Sequence, residues 1–206
     1  MLRRGNARGA RGNASGCPGT RAGATMPGVS HTTLLTPRLE LVPMTLAIAE
    51  AVILGRRAEA ERHLGAPLPD AWPGRALIER AFSTSLDAIR ADPHGRLWGD
   101  RVMISRQGPR RVLGSVVFHG APDEEGSVEV AYGVEQESQQ QGYATEGTRA
   151  SVEWALAHPG VRRVRATTPS WHTPSRRVLE KCGFALVGSR ESEAMLGELH
   201  EFERTP

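Results

Sequence analysis

The chain is short of lysine, cysteine, aromatic residues and long apolar runs, and most of these shortages exclude something. Lys181 is the single lysine beside 25 arginines, which we read as codon bias of a GC-rich genome and not as a functional signal. Cys17 and Cys182 are too few for a disulfide framework, and neither belongs to a C-x-x-C pair, so a reducing, cytoplasmic setting is expected. No run of about eighteen apolar residues occurs, which excludes a transmembrane helix, and the N-terminus lacks the apolar stretch of a secretory signal. The histidines show no metal-ligand spacing, so no metal is expected. Nucleophile-elbow, P-loop and dinucleotide-binding glycine patterns are missing as well.

The net charge of +3 divides unevenly. Arg3, Arg4, Arg8, Arg11 and Arg21 give residues 1–25 a charge of +5 with no acidic residue, which leaves the rest of the chain at −2. Beyond the tail there is no electrostatic case for nucleic acid. Residues 1–30, rich in Gly and Arg, have little to bury and are expected to be disordered. Two readings of that stretch stay open, a real basic tail or a start of translation at Met26. Residues 31–206 read as one domain.

Leu39 and Leu41 alternate with charged neighbours, which predicts a half-buried strand. Thr45 caps a helix over Leu46–Leu54, and a second covers Ala58–Leu64. A third is predicted over Gly74–Ala91, ended by Asp92-Pro93. A meander of strands follows at Leu97–Ser105, Arg111–His119 and Ser127–Val134. Then come a helix from Gly142 to Ala157, a strand at Val161–Thr168, a helix opened by Thr173-Pro174, and strands at Phe184–Ser189 and Glu198–Arg204. The fold class is α+β, one mixed sheet with helices on both faces.

The informative stretch is Ser127–Glu146, in which a strand leads through a polar loop into a helix. Such a junction presents unpaired N–H groups and the positive end of the helix dipole, which stabilises an anion by roughly 0.3–1 kcal/mol and up to about 2 when partly buried. Gly142, lacking a side chain, lets a bulky phosphate approach the backbone. Taken alone, a Q-x-x-G-x-A sequence is far more often just a tight turn.

Gln139-Gln140-Gln141-Gly142-Tyr143-Ala144 resembles the pyrophosphate-binding motif of the GNAT acetyltransferases, Q/R-x-x-G-x-G/A. Val128–Val134 looks like that family's fourth strand, and Ser175–Phe184 is similar to its helix–Gly-Phe segment. Thr36-Pro37-Arg38-Leu39-Glu40-Leu41 resembles the start of the RimJ/RimL-type branch. The resemblance spans Leu34–Arg204. It implies a GNAT fold, with a mixed, mostly antiparallel sheet splayed between its fourth and fifth strands and flanked by helices.

The same resemblance implies an N-acetyltransferase using acetyl-CoA. The acetyl-CoA arm would pair with Tyr132, Gly133 and Val134, a form of strand addition. Its pyrophosphate would sit on the N–H groups of Gln139, Gln140, Gln141, Gly142, Tyr143, Ala144 and Thr145. Attack of a neutral amine on the thioester needs a base, an oxyanion donor and an acid. Glu129 is the candidate base, its alternative being a solvated strand carboxylate, and the Val134 N–H is the candidate oxyanion donor. Many family members use a tyrosine acid after the last helix, where this chain has Phe184. Ser175 instead stands at the serine of the Rim-type N-x-x-S segment and becomes the candidate acid, against ordinary hydrogen bonding at a helix start. His172 replaces the asparagine of that segment and is a candidate acetyl-CoA contact. Trp72 and Trp98, with Phe82, Asp70 and Asp100, are candidates for the acceptor pocket, and packing in loops is their plainer role. The acceptor is a small-molecule amine or a protein N-terminus, with no nucleic acid and no membrane as partner, and a homodimer is common in the family. A non-catalytic module that only holds coenzyme A is the rival reading.

Overall fold

The computed structural model describes residues 32–71, 85–192 and 197–206. The predicted tail and most of the predicted 74–91 helix, with Trp72 and Phe82, lie outside these residues. Among the described residues eight strands form one sheet: β1 (Leu34–Leu35), β2 (Leu39–Pro43), β3 (Arg101–Ser105), β4 (Val112–Phe118), β5 (Ser127–Val134), β6 (Arg163–Pro169), β7 (Ala185–Ser192) and β8 (Gly197–Arg204). Their spatial order is β1-β2-β3-β4-β5-β6-β8-β7, and every neighbouring pair is antiparallel except β5 with β6. The mixed, mostly antiparallel sheet expected from the sequence is the one observed. The two-residue β1 shifts the count by one, so the splayed strands are β5 and β6.

Local chemistry accounts for the helix ends. Helix α1 (Leu46–Ile53) starts where the Thr45 hydroxyl accepts the Ile48 N–H, and α2 (Arg57–Leu64) stops at Gly65 in the left-handed region. Of the predicted 74–91 helix the described part is α3 (Leu86–Ala91), capped by Ser85. Asp92-Pro93 ends that helix and also starts another. The Asp92 carboxylate accepts the Gly95 N–H, and Pro93 occupies the first turn of the short α4 (Pro93–Arg96). For that reason the strand expected from Leu97 begins only at Arg101. Helix α5 (Tyr143–Leu156) follows the polar loop, and α6 (Thr173–Lys181) has Pro174 in its first turn. Gly183, at φ +83°, ends α6: its N–H reaches the Glu180 carbonyl and that of Phe184 reaches Leu179. This paired closure turns the chain and drops the Phe184 ring into the core, which explains the Gly-Phe pair.

The two faces of the sheet bury separate clusters. Leu39, Leu41, Val116, Phe118, Val128 and Val130 pack with Val152 of α5 and Leu179 of α6. On the other face Val102, Ile104 and Val112 pack with Ile48 and Val52 of α1 and Leu64 of α2. Each such buried branched side chain contributes about 1.5–3 kcal/mol relative to exposure.

Candidate active site

Strands β5 and β6 are paired only over Ser127–Glu129 against Arg163–Arg165, and beyond these residues they separate. β6 stays paired with β8 from Val164 to Pro169, while β5 stays paired with β4 through Val134. A cleft of about 210 Å³ opens between them, lined by Val130, Tyr132, Thr167, His172 and Ser175 among others.

Antiparallel pairing decides which backbone groups face this cleft. The His119 N–H bonds to the Glu129 carbonyl at 2.9 Å, and the Glu135 N–H to the Leu113 carbonyl at 2.8 Å. Residues 129, 131, 133 and 135 are therefore the ones hydrogen-bonded to β4, and the alternation turns 130, 132 and 134 toward β6. Gly133 was expected to pair with the acetyl-CoA arm, but its backbone groups are taken by Ser115, its partner on β4. Tyr132 and Val134 do turn their N–H groups into the opening, and the Val134 carbonyl accepts the Gln139 side chain at 3.0 Å.

At the wide end the chain folds through a single turn at Gln136–Ser138 into α5. Gln140 has φ +61° and Gly142 +85°, so two left-handed residues curl the loop just before the helix. Among the described residues no protein acceptor takes the N–H groups from Gln140 to Thr145, while the Glu146 N–H closes the first helical bond to the Gly142 carbonyl. The cluster of free donors lies at the positive end of the helix dipole, an arrangement that favours an anion. Residues 38–185 match the acetyltransferase (GNAT) domain model. The chain belongs to the GNAT acetyltransferases.

This GNAT chain is 26% identical to the uncharacterized N-acetyltransferase YjdG of Bacillus subtilis over 153 residues, 74% of this chain and 89% of the relative. Its fold is similar to that of ribosomal-protein-S5-alanine acetyltransferase from Vibrio fischeri, with TM-score 0.59, 12% identity and coverage of 84% and 96% of the two chains. The microcin C7 self-immunity acetyltransferase MccE, solved with acetyl-CoA and AMP, has TM-score 0.55 and 12% identity, over 83% and 94% of the chains.

Glu129 stands where β5 and β6 part, beside the cleft-lining Thr167. Its carboxylate accepts the Thr167 hydroxyl at 2.9 Å and lies 3.6 Å from His119 Nδ1. The His119 ring and then the Thr167 hydroxyl hold this carboxyl below its ordinary range against partial burial, so it is ionised at neutral pH. Across the cleft, the Tyr132 hydroxyl donates to the Ser175 carbonyl at 2.9 Å and lies 3.0 Å from Ser175 Oγ. Burial raises the Tyr132 phenol above its ordinary value despite the Ser175 hydrogen bond. Sequence reasoning put Tyr132 here for its backbone alone, and no spacing rule links a strand phenol to a helix 43 residues on. His172 is exposed beside Trp171 at the cleft mouth, with ring centroids 5.5 Å apart.

The acceptor-side expectation for Trp98 needs correction. Trp98 is 2% exposed and packs against Phe118 and Trp154, with ring centroids at 5.2 and 5.0 Å. It is a core residue because α4 and Gly99 turn it under α5. Asp100, also buried, accepts the Phe118 N–H at 2.6 Å, and burial raises its carboxyl well above the ordinary range. Neither is available to a substrate. Asp70 is fully exposed and lies 3.8 Å from Arg57. The thiol of buried Cys182 is pushed up to about 11 by burial, which suits packing and not nucleophilic attack. Among the described residues no His, Cys, Asp or Glu cluster of metal-binding form occurs, and no helix is long and apolar enough to cross a membrane.

Proposed function

We propose that this GNAT enzyme is a RimJ/RimL-like N-acetyltransferase that moves an acetyl group from acetyl-CoA to a primary amine in a ternary complex. The carrying observation is the order along the chain: β5, whose unpaired edge from Val130 borders the cleft, runs through Val134 into the loop whose N–H groups from Gln140 to Thr145 have no protein acceptor, which fits an extended arm ending in a pyrophosphate. The amine nitrogen attacks the thioester carbonyl carbon, forming the C–N bond. Ionised Glu129 takes the amine proton, directly or through a water. The Val134 N–H stabilises the oxyanion, and as the C–S bond breaks Ser175 Oγ protonates the departing thiolate. The Tyr132 hydroxyl holds Ser175 in place, and His172 at the cleft mouth contacts the arm. The acceptor is a protein N-terminus or a small amine in the cytoplasm, and the S5-alanine acetyltransferase among the structural relatives favours the first.

Isothermal titration with acetyl-CoA and with desulfo-CoA tests this reading. Binding of both near micromolar concentration is expected, followed by thiol release with a panel of peptides and small amines. No binding at millimolar concentration overturns the assignment. Binding without release across the panel replaces it with a non-catalytic module that holds coenzyme A.

A further inference from the structure

The first turn of α5 contains a contradiction. An acidic residue there favours the helix, yet Glu146 lies one turn from the donors assigned to an anionic pyrophosphate, which its charge would repel. The segment before β2 resolves it. Glu146 Oε1 accepts the Thr36 hydroxyl at 2.6 Å and the Arg38 backbone N–H at 2.8 Å, and Oε2 accepts Arg38 Nε at 2.6 Å. Burial would raise this carboxyl, but the Thr36 and Arg38 hydrogen bonds outweigh it and keep Glu146 ionised.

The remaining faces of the same guanidinium act on the loop. Arg38 Nη1 donates to the Gln141 carbonyl at 2.8 Å, and the group lies 4.5 Å over the Tyr143 ring. Nη2 is 3.3 Å from the point a Cβ on Gly142 would occupy. One planar cation therefore neutralises the helix carboxylate, holds the loop carbonyl that precedes Gly142, and supports the first residue of α5. A lysine, with one nitrogen, cannot make these contacts together.

Resting on the acetyl-CoA reading, we infer that Arg38 is the positioning residue of the pyrophosphate loop, and that the Arg38–Glu146 pair sets the affinity for the donor. The test uses titrations of the full chain with acetyl-CoA, with ADP, which has the pyrophosphate but not the arm, and with S-acetylpantetheine, which has the arm but not the pyrophosphate. Arg38→Ala is expected to weaken acetyl-CoA and ADP alike, by about thirtyfold, because it leaves the Glu146 carboxylate without its counter-charge beside the loop, and to leave S-acetylpantetheine within about twofold. Arg38→Lys should fall between wild type and Arg38→Ala. The double variant Arg38→Ala/Glu146→Gln should recover about half of the lost factor on a logarithmic scale, a coupling that additive effects do not produce. Thermal midpoints identify any variant that fails to fold, in which case Arg38→Lys alone carries the comparison of ligands. Equal losses for all three ligands, or a double variant no better than the single, overturn the proposal. Wild-type protein that binds none of them overturns the donor reading and this proposal with it.

Discussion

The two ends of β5 differ in one respect that divides the labour of the molecule. Over Ser127–Glu129 the strand is bonded on both edges, to β6 on one and, on the other, to the chain just past β4, where the His119 N–H reaches the Glu129 carbonyl and the Asp123 N–H the Ser127 carbonyl; over Val130–Val134 it is paired with β4 alone. The alternation of side chains runs through both ends unbroken: Val128 and Val130 share the core with α5, and Tyr132 packs against it. What changes is the neighbour, since β6 follows β8 and leaves half an edge of β5 open. Backbone groups at the closed end serve stability. Those at the open end are free for a ligand, at the cost of leaving polar groups that need one or water.

That contrast can be broken at either end. The largest effect is expected in the core beneath the sheet, where Trp98 packs on Phe118, the β4 partner of Val130. Trp98→Ala should cost about 3–5 kcal/mol in urea unfolding and leave acetyl-CoA affinity of the folded protein within about twofold. A loss of acceptor or donor affinity with stability unchanged would return Trp98 to the pocket.

Gly142→Asp should act in the opposite sense. It places a negative charge and a strained left-handed side chain at the anion loop, so acetyl-CoA binding by titration should weaken about a hundredfold, with only about 1 kcal/mol lost from stability. Where the two ends meet, Glu129→Gln, and across the cleft Ser175→Ala, should each lower kcat about ten- to a hundredfold with acetyl-CoA affinity nearly unchanged. A change confined to affinity would remove either from the chemistry.

The smallest effect is a pH dependence. The folded-state pKa of Glu129 is depressed, so its contribution to stability is fully present above the ordinary carboxylate range and is lost as pH falls through the lowered value. The difference in thermal midpoint between wild type and Glu129→Gln should therefore be largest near neutrality and shrink below about pH 4. A difference that grows in acid would show that the carboxyl is held neutral.

Several features were legible before any coordinates because they depend on near neighbours in the chain. The β2 alternation at Leu39 and Leu41, the Thr45 cap, the Gly183-Phe184 closure and the strand–loop–helix around Gly142 are of this kind. Asp92-Pro93 was half legible: Pro93 ends one helix by its ring and begins another because a proline suits a first turn. Trp98 misled because its ring partner Trp154 lies on a helix that closes over it much later in the chain, which no pattern around Leu97–Ser105 records.

The family and most of the elements could be read locally, because a cap, a left-handed glycine or a period of two is decided within a few residues. Tertiary structure alone decided where β5 and β6 part and which alternate amides face the gap. It also set the Tyr132 hydroxyl against Ser175 and turned Glu146 away from the loop under Arg38. Those outcomes join residues from 38 to 108 positions apart, and they follow from which strands and helices meet across the sheet, a competition between partners that no local pattern records.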